Sequence, residues 1–227
     1  MEEIVAGALY LVSTPIGNLA DISHRAIHIL TNVSLIAAED TRISRVLLTK
    51  YNIKRPILSY HSHNQLKKVD SLLSRLKSGQ SIALISDAGT PGISDPAYSL
   101  VTRAIEEKVR IIPIPGASAL LAALVTSGLP TNRFVFEGFL PQKKGRRTKI
   151  AELKAEKRTI VIYESPHRIL KTTRELYQSW GDRKCVIARE LTKKFEEITR
   201  GFLSEIITHL ETGPVKGEYV IIIEGKN

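Results

Sequence analysis

The chain has one cysteine, Cys185, in 227 residues. A single thiol excludes an intramolecular disulfide and any zinc or iron–sulfur centre built on cysteines. Long hydrophobic runs are missing as well. The longest apolar stretch, Ala117 to Val125, is too short to span a bilayer and is interrupted by Ser118. The start, Met1-Glu2-Glu3, lacks the basic residues of a secretion signal. These absences lead us to expect a soluble cytoplasmic protein with no membrane partner. There is no internal repeat and no low-complexity segment. No G-x-G-x-x-G, no G-x-x-x-x-G-K-[ST] and no Ser/His/Asp signature occurs, which counts against a nicotinamide dehydrogenase, a P-loop nucleotidase and a serine hydrolase.

What is present describes a folded protein with an excess of positive charge. Hydrophobic residues make up 43% and charged residues 25% of the chain, close to the globular average. Its length suits one large α/β unit or two smaller domains. The formal net charge is +10 and the isoelectric point is near 9.7, which favours a polyanionic partner. The excess is uneven. Residues 1–130 carry 13 Lys/Arg and 10 Asp/Glu, leaving 20 and 13 to residues 131–227.

The first 130 residues alternate short apolar runs with amphipathic segments. Strands are expected at 8–13, 35–38, 57–60, 81–86 and 109–114. Helices are expected at 23–30, 43–51, around Leu66, Val69, Leu72, Leu73 and Leu76, at 97–108, and from 117 toward Gly128. That order implies a parallel sheet with helices on both faces, in which ligands bind beyond the carboxyl ends of the strands. Leu129-Pro130-Thr131-Asn132 reads as a hinge, so domains are expected at 1–130 and 131–227. The second domain reads as mixed α/β. Strands are expected at 134–139, 159–163, 184–189, 195–199 and 218–223, and helices at 148–156, 168–178 and 204–210.

Three loops fall at strand ends in the first domain. Thr14-Pro15-Ile16-Gly17-Asn18 is a glycine-bearing turn. Asp87-Ala88-Gly89-Thr90-Pro91-Gly92-Ile93-Ser94-Asp95-Pro96 is long and rich in Gly and Pro, a combination that tends to be functional in compact domains. Its Asp87 directly follows a strand and suits a polar or cationic ligand, while Asp95 could cap the next helix. Pro113-Ile114-Pro115-Gly116-Ala117-Ser118 opens a helix that Ser118 could cap. Glu39-Asp40 ends the second strand, with Asp40 a natural helix cap. In the second domain Tyr163-Glu164-Ser165-Pro166-His167-Arg168 and Ala188-Arg189-Glu190-Leu191-Thr192-Lys193-Lys194 end strands. Lys143-Lys144-Gly145-Arg146-Arg147 with Lys149 forms a basic loop that matches phosphate backbones. His24 and His28 lie four apart on a helix, and His61 and His63 flank a turn. Solvent-facing roles suit both pairs better than a metal, and none is expected.

Taken together, the three loops of the first domain resemble those of the tetrapyrrole methylase superfamily, and within it the branch acting on small-subunit (16S) ribosomal RNA. Phe136-Glu137-Gly138-Phe139-Leu140-Pro141 and the two later strand-end runs fit the same pattern. The resemblance implies two α/β domains with S-adenosylmethionine (SAM) in the interdomain cleft, commonly in a homodimer. It implies methyl transfer to the 2′-hydroxyl of a cytidine. Cofactor contacts would come from Pro15, Ile16, Gly17, Asp87, Ala88, Gly89, Thr90, Ala117 and Ser118, with Tyr163 and Leu191 from the second domain. Lys143, Lys144, Arg146, Arg147 and Arg168 would face RNA. Glu190 is a candidate general base, and equally a partner of Arg189 or Lys193. Two rivals remain: a corrin- or porphyrin-type methyltransferase, which needs no basic surface, and a non-catalytic RNA-binding module, which needs no SAM.

Overall fold

The computed structural model describes residues 3–62, 64–213 and 215–226. The chain forms two compact units that divide between Ser118 and Ala119.

In the first unit the elements are β1 (Leu9–Val12), α1 (His24–Asn32), β2 (Leu35–Ala38), α2 (Thr41–Lys50), β3 (Ile57–Ser59), α3 (Gln65–Lys77), β4 (Ile82–Ile85), α4 (Ala97–Glu106) and β5 (Ile111–Ile114). The sheet order is β3-β2-β4-β1-β5, and every neighbouring pair is parallel. Parallel pairing requires crossovers, and the helices supply them. Side chains alternate across each strand. Tyr10, Val12, Ile36 and Ala38 pack with Ala26, Ile29 and Leu30 of α1 on one face. Leu9, Leu35, Ala37 and Leu84 pack with Val69, Leu72, Leu73 and Leu76 of α3 and Leu100 of α4 on the other. Both faces are covered, so the strands read as unbroken apolar runs rather than alternating ones. The Leu66 side chain lies outside the described residues. Pro113 has no N–H to give a ladder, and it sits in β5 at the sheet edge.

The second unit holds α5 (Ala119–Thr126), β6 (Phe134–Phe139), α6 (Arg146–Leu153), β7 (Thr159–Glu164), α7 (Ile169–Trp180), β8 (Lys184–Arg189), β9 (Glu197–Phe202), α8 (Leu203–Thr212) and β10 (Tyr219–Ile223). Its sheet runs β6-β7-β10-β8-β9, with β6 and β7 parallel and the other pairs antiparallel. Ile150, Leu176, Trp180, Ile206 and Leu210 of the helices cover Ile160, Ile162, Cys185, Ile187 and Ile221. The Trp180 indole N–H donates to the Ile150 carbonyl at 2.7 Å, which satisfies its one polar atom inside this core. Cys185 is fully buried, and burial pushes its thiol above the ordinary range.

The sequence places the seam after residue 130. In the structure α5 packs on β10, which assigns it to the second unit. Strand β9 begins at Glu197, two residues later than expected, because 193–196 close a turn in which the Glu196 N–H reaches the Lys193 carbonyl at 3.1 Å. Among the described residues no helix is long and apolar enough to cross a membrane.

Candidate cofactor and nucleic-acid sites

Strands β4, β1 and β5 are adjacent, so the loops leaving their carboxyl ends must meet. Thr14 and Gly89 form an isolated antiparallel bridge, with N–H···O distances of 2.9 and 3.1 Å. Ser13 Oγ lies 2.9 Å from Thr90 Oγ1, and Thr90 Oγ1 lies 3.3 Å from the Ala117 carbonyl. Thr14 Oγ1 donates to the Ser86 carbonyl at 3.2 Å. Two glycines permit this convergence. Gly89 adopts φ +85°, and a side chain on Gly116 would come within 2.9 Å of Ser13 Cβ. All three loops that carry Pro15, Ile16, Gly17, Asp87, Ala88, Gly89, Thr90, Ala117 and Ser118 are therefore brought to one place. Ile16 is tucked beneath Gly89, while the backbone of Gly17, Ala88 and Gly116 is exposed.

One side of this rim is acidic. Asp87 Oδ1 accepts the Asp40 N–H at 2.8 Å, which commits one carboxylate oxygen to tying β4 to the β2–α2 turn. Asp40 caps α2 as expected, accepting the Arg42 N–H at 2.8 Å, and its hydrogen bonds with Arg42 hold its carboxyl down to about 2. Burial, then the Asp87 charge, raises Glu39 above the ordinary carboxylate range. Burial likewise raises Asp87. Asp95 accepts the Gly92 and Ala97 N–H groups, each at 2.8 Å, and folds the long loop back on the start of α4.

In the second unit two of the arginines expected to face RNA are engaged within the protein. Arg146 is only 6% exposed. Its Nε donates to Glu175 at 2.7 Å, its Nη2 to Thr172 Oγ1 at 2.7 Å and its Nη1 to the Pro141 carbonyl at 3.1 Å. Arg168 donates to Glu164 at 2.7 Å and to the Leu140 carbonyl at 3.2 Å. Glu164 is buried and also accepts from Thr172 Oγ1 at 2.7 Å. The Arg146 guanidinium is spent inside the protein, and Arg168, though partly exposed, is engaged by Glu164 and the Leu140 carbonyl. Lys149 pairs with Glu137 and Glu152. Lys143, Lys144 and Arg147 are exposed.

Of the two roles expected for Glu190, the contacts favour the ion pair. It accepts from Lys193 Nζ at 2.8 Å and from the Glu218 N–H at 3.0 Å. Burial works to raise its pKa, but these partners outweigh it and hold the carboxyl below the ordinary range. A general base works best with a pKa near the working pH, and a carboxyl held low departs from it. The geometry makes Glu190 the Lys193 partner that ties the β8 end to Glu218. Arg189 pairs instead with Glu197 at 3.2 Å. Leu191 is buried, and Tyr163 accepts the Leu120 N–H at 3.1 Å, with burial pushing its phenol up. His24 is exposed, and His28 lies against Asn32. His63 lies outside the described residues. Among those described, no group of three or more His, Cys, Asp or Glu could hold a metal ion.

The Arg146–Thr172–Glu164–Arg168 network and the Gly116–Ser13 contact were missed in the sequence. The four-residue steps from Glu164 to Arg168 to Thr172 were the available signal for the first.

A nest of backbone turns at the ends of three adjacent parallel strands, followed by a mixed sheet, defines an α/β ligand-binding enzyme. Residues 8–207 match the family described as Tetrapyrrole (Corrin/Porphyrin) Methylases. The chain belongs to that family. It is 50% identical to Ribosomal RNA small subunit methyltransferase I of Synechocystis, over 96% of this chain and 79% of that one. It is 48% identical to the Thermotoga maritima protein of the same name, over 97% and 99%. Among solved structures, a cobalt precorrin-4 methyltransferase superposes with a TM-score of 0.72 at 18% identity, covering 96% of this chain and 95% of that one. A uroporphyrin-III C-methyltransferase from Thermus thermophilus, complexed with S-adenosylhomocysteine, gives 0.69 at 17%, covering 95% and 96%. At these identities the structural likeness speaks for the fold.

Proposed function

We propose that the chain transfers a methyl group from SAM to the 2′-hydroxyl of a cytidine ribose in small-subunit (16S) ribosomal RNA, as a cytoplasmic homodimer. The observation that carries this reading is the convergence of the three strand-end loops, in a chain about half identical to relatives named for ribosomal RNA methylation.

The donor set fits the cofactor. SAM has a sulfonium, an ammonium and ribose hydroxyls. The rim offers exposed backbone at Gly17, Ala88 and Gly116 beside the carboxylates of Asp87 and Glu39. In this reading Pro15, Ile16, Gly17, Asp87, Ala88, Gly89, Thr90, Ala117 and Ser118 hold it. When bound, SAM supplies a methyl carbon activated by a positively charged sulfur. The protein's part is chiefly to fix the cofactor and the ribose oxygen in line, and most of the acceleration comes from that positioning. The acceptor must be accessible, so the target nucleotide is unpaired or splayed out when it reacts. Lys143, Lys144 and Arg147 supply cations for the backbone around it.

The deciding experiment incubates the purified protein with methyl-labelled SAM and small ribosomal subunits lacking the modification, then maps labelled nucleosides. Label in 2′-O-methylcytidine is expected. Label on a tetrapyrrole offered in competition, or no SAM binding at all, overturns the reading.

A further inference from the structure

Phe139, at the end of β6, is 54% exposed. Its position is built rather than accidental. Phe136 pairs with Val161 and Phe139 with Tyr163, so β6 carries one extra residue there. In an unbroken strand residues three apart point to opposite faces. The bulge at Gly138, where φ is +61°, brings both phenylalanines onto one ring. Phe136 and Phe139 meet Tyr163 edge-on, with centroids 4.9 and 5.7 Å away. The Tyr163 hydroxyl is itself held by the Leu120 N–H. One edge of Phe139 thus rests on Tyr163, and the residue stays half-exposed.

The chain beyond it is clamped. The Leu140 carbonyl takes Arg168 and the Pro141 carbonyl takes Arg146. Both arginines are locked in turn on Glu164, Thr172 and Glu175. Two residues further on come Lys143 and Lys144, then Arg147, all exposed and in no ion pair among the described residues. A rigid, half-exposed aromatic ring therefore stands a few residues from three uncommitted cations.

We infer that Phe139 is a stacking platform for an unpaired base of the RNA substrate, with Lys143, Lys144 and Arg147 holding the adjoining phosphates and Arg146 and Arg168 acting as positioning residues that set the distance between ring and cations. Proteins that take single strands combine such rings with such charges, because every base has a flat face and every nucleotide a phosphate. A preset ring loses little conformational freedom on binding. This inference rests on the ribosomal RNA reading and names where the substrate is gripped.

Three full-length proteins test it: wild type, Phe139→Leu and Phe139→Trp. Leucine keeps apolar packing on Tyr163 and removes the flat face, whereas tryptophan keeps a face. Each is titrated with a single-stranded RNA from the small-subunit sequence and with the same RNA in a duplex. SAM affinity by calorimetry and oligomeric state by sedimentation are measured alongside. Single-strand affinity about ten-fold lower for Phe139→Leu is expected, with Phe139→Trp close to wild type and SAM affinity and oligomeric state unchanged in both. Wild-type RNA affinity in Phe139→Leu overturns the inference and leaves the methylation reading standing. An equal loss for the duplex, a parallel loss of SAM affinity, or a change in oligomeric state also overturns it, each pointing to a different task for the ring. If the wild-type protein binds neither the single strand nor the duplex, the inference is overturned, while the methylation reading is decided separately by the assay on small ribosomal subunits.

Discussion

A buried guanidinium is tolerated when its donors are matched, and Arg146 finds that match in Glu175, Thr172 and the Pro141 carbonyl. Removing one partner of a buried charged pair leaves the rest uncompensated. Arg146→Ala should therefore lower unfolding stability by about 3 kcal/mol in urea titrations. Arg147→Ala, one residue on and exposed, should change stability by less than about 0.5 kcal/mol and act on RNA affinity alone. Asp87 gives the opposite case, a residue held against stability. Burial raises its folded pKa above the ordinary 3.8. Between the unfolded and folded pKa the native state holds more protons than the unfolded chain, so this group's contribution falls as pH rises through that window and stays lost above it. Asp87→Asn keeps an acceptor for the Asp40 N–H and removes the penalty. Its thermal midpoint should match or exceed wild type at pH 7, with the advantage shrinking below pH about 4, while SAM affinity measured by calorimetry should drop. A less stable variant with normal SAM affinity would reverse the roles given to this carboxylate.

At the scale of elements, the meeting of the β1 and β5 loops depends on a missing side chain. Gly116→Ala would drive a Cβ to within 2.9 Å of Ser13 Cβ and 3.3 Å of its carbonyl. One loop must move, so a stability loss of about 1–3 kcal/mol should come with weaker SAM binding. Gly79→Ala provides the comparison. Gly79 has φ +87° with nothing within 4 Å of an added Cβ, so strain alone should appear and SAM binding should hold. Loss of SAM affinity in both variants would mean that the effect is general softening of the fold. Elements of this kind were legible because the inner strands β1, β2 and β4 are apolar on both faces and the helices that cover them on one. The convergence of the loops followed from strand ends alone. The Gly116 contact did not, since a close approach between residues 103 positions apart leaves no local pattern. Arg146 was illegible for a related reason. Within Lys143-Lys144-Gly145-Arg146-Arg147 every cation looks alike, and the partners that bury one of them arrive from α7. The expected seam rests on the hinge chemistry of Leu129-Pro130-Thr131-Asn132, whereas α5 falls with the second unit by its packing on β10.

For the whole molecule, the net charge of +10 matters less than where its cations are spent. Arg42 is paired with Asp40, Lys77 with Glu107, Arg158 with Glu156 and Arg174 with Glu211. Exposed pairs of this kind add little stability, and their charges cancel at a distance. Binding of a polyanion is governed instead by uncommitted cations, each of which displaces a counterion from the strand. For a single strand the slope of log affinity against log salt is about −0.7 for each phosphate neutralised. Replacing Lys143, Lys144 and Arg147 together by Ala should make that slope shallower by about 2 and weaken RNA binding most at low salt. SAM affinity should be nearly unaffected by salt in either protein. Titrations at several salt concentrations read this directly. An unchanged slope would mean that phosphates are met elsewhere, leaving this loop as one more solvated stretch of a basic protein.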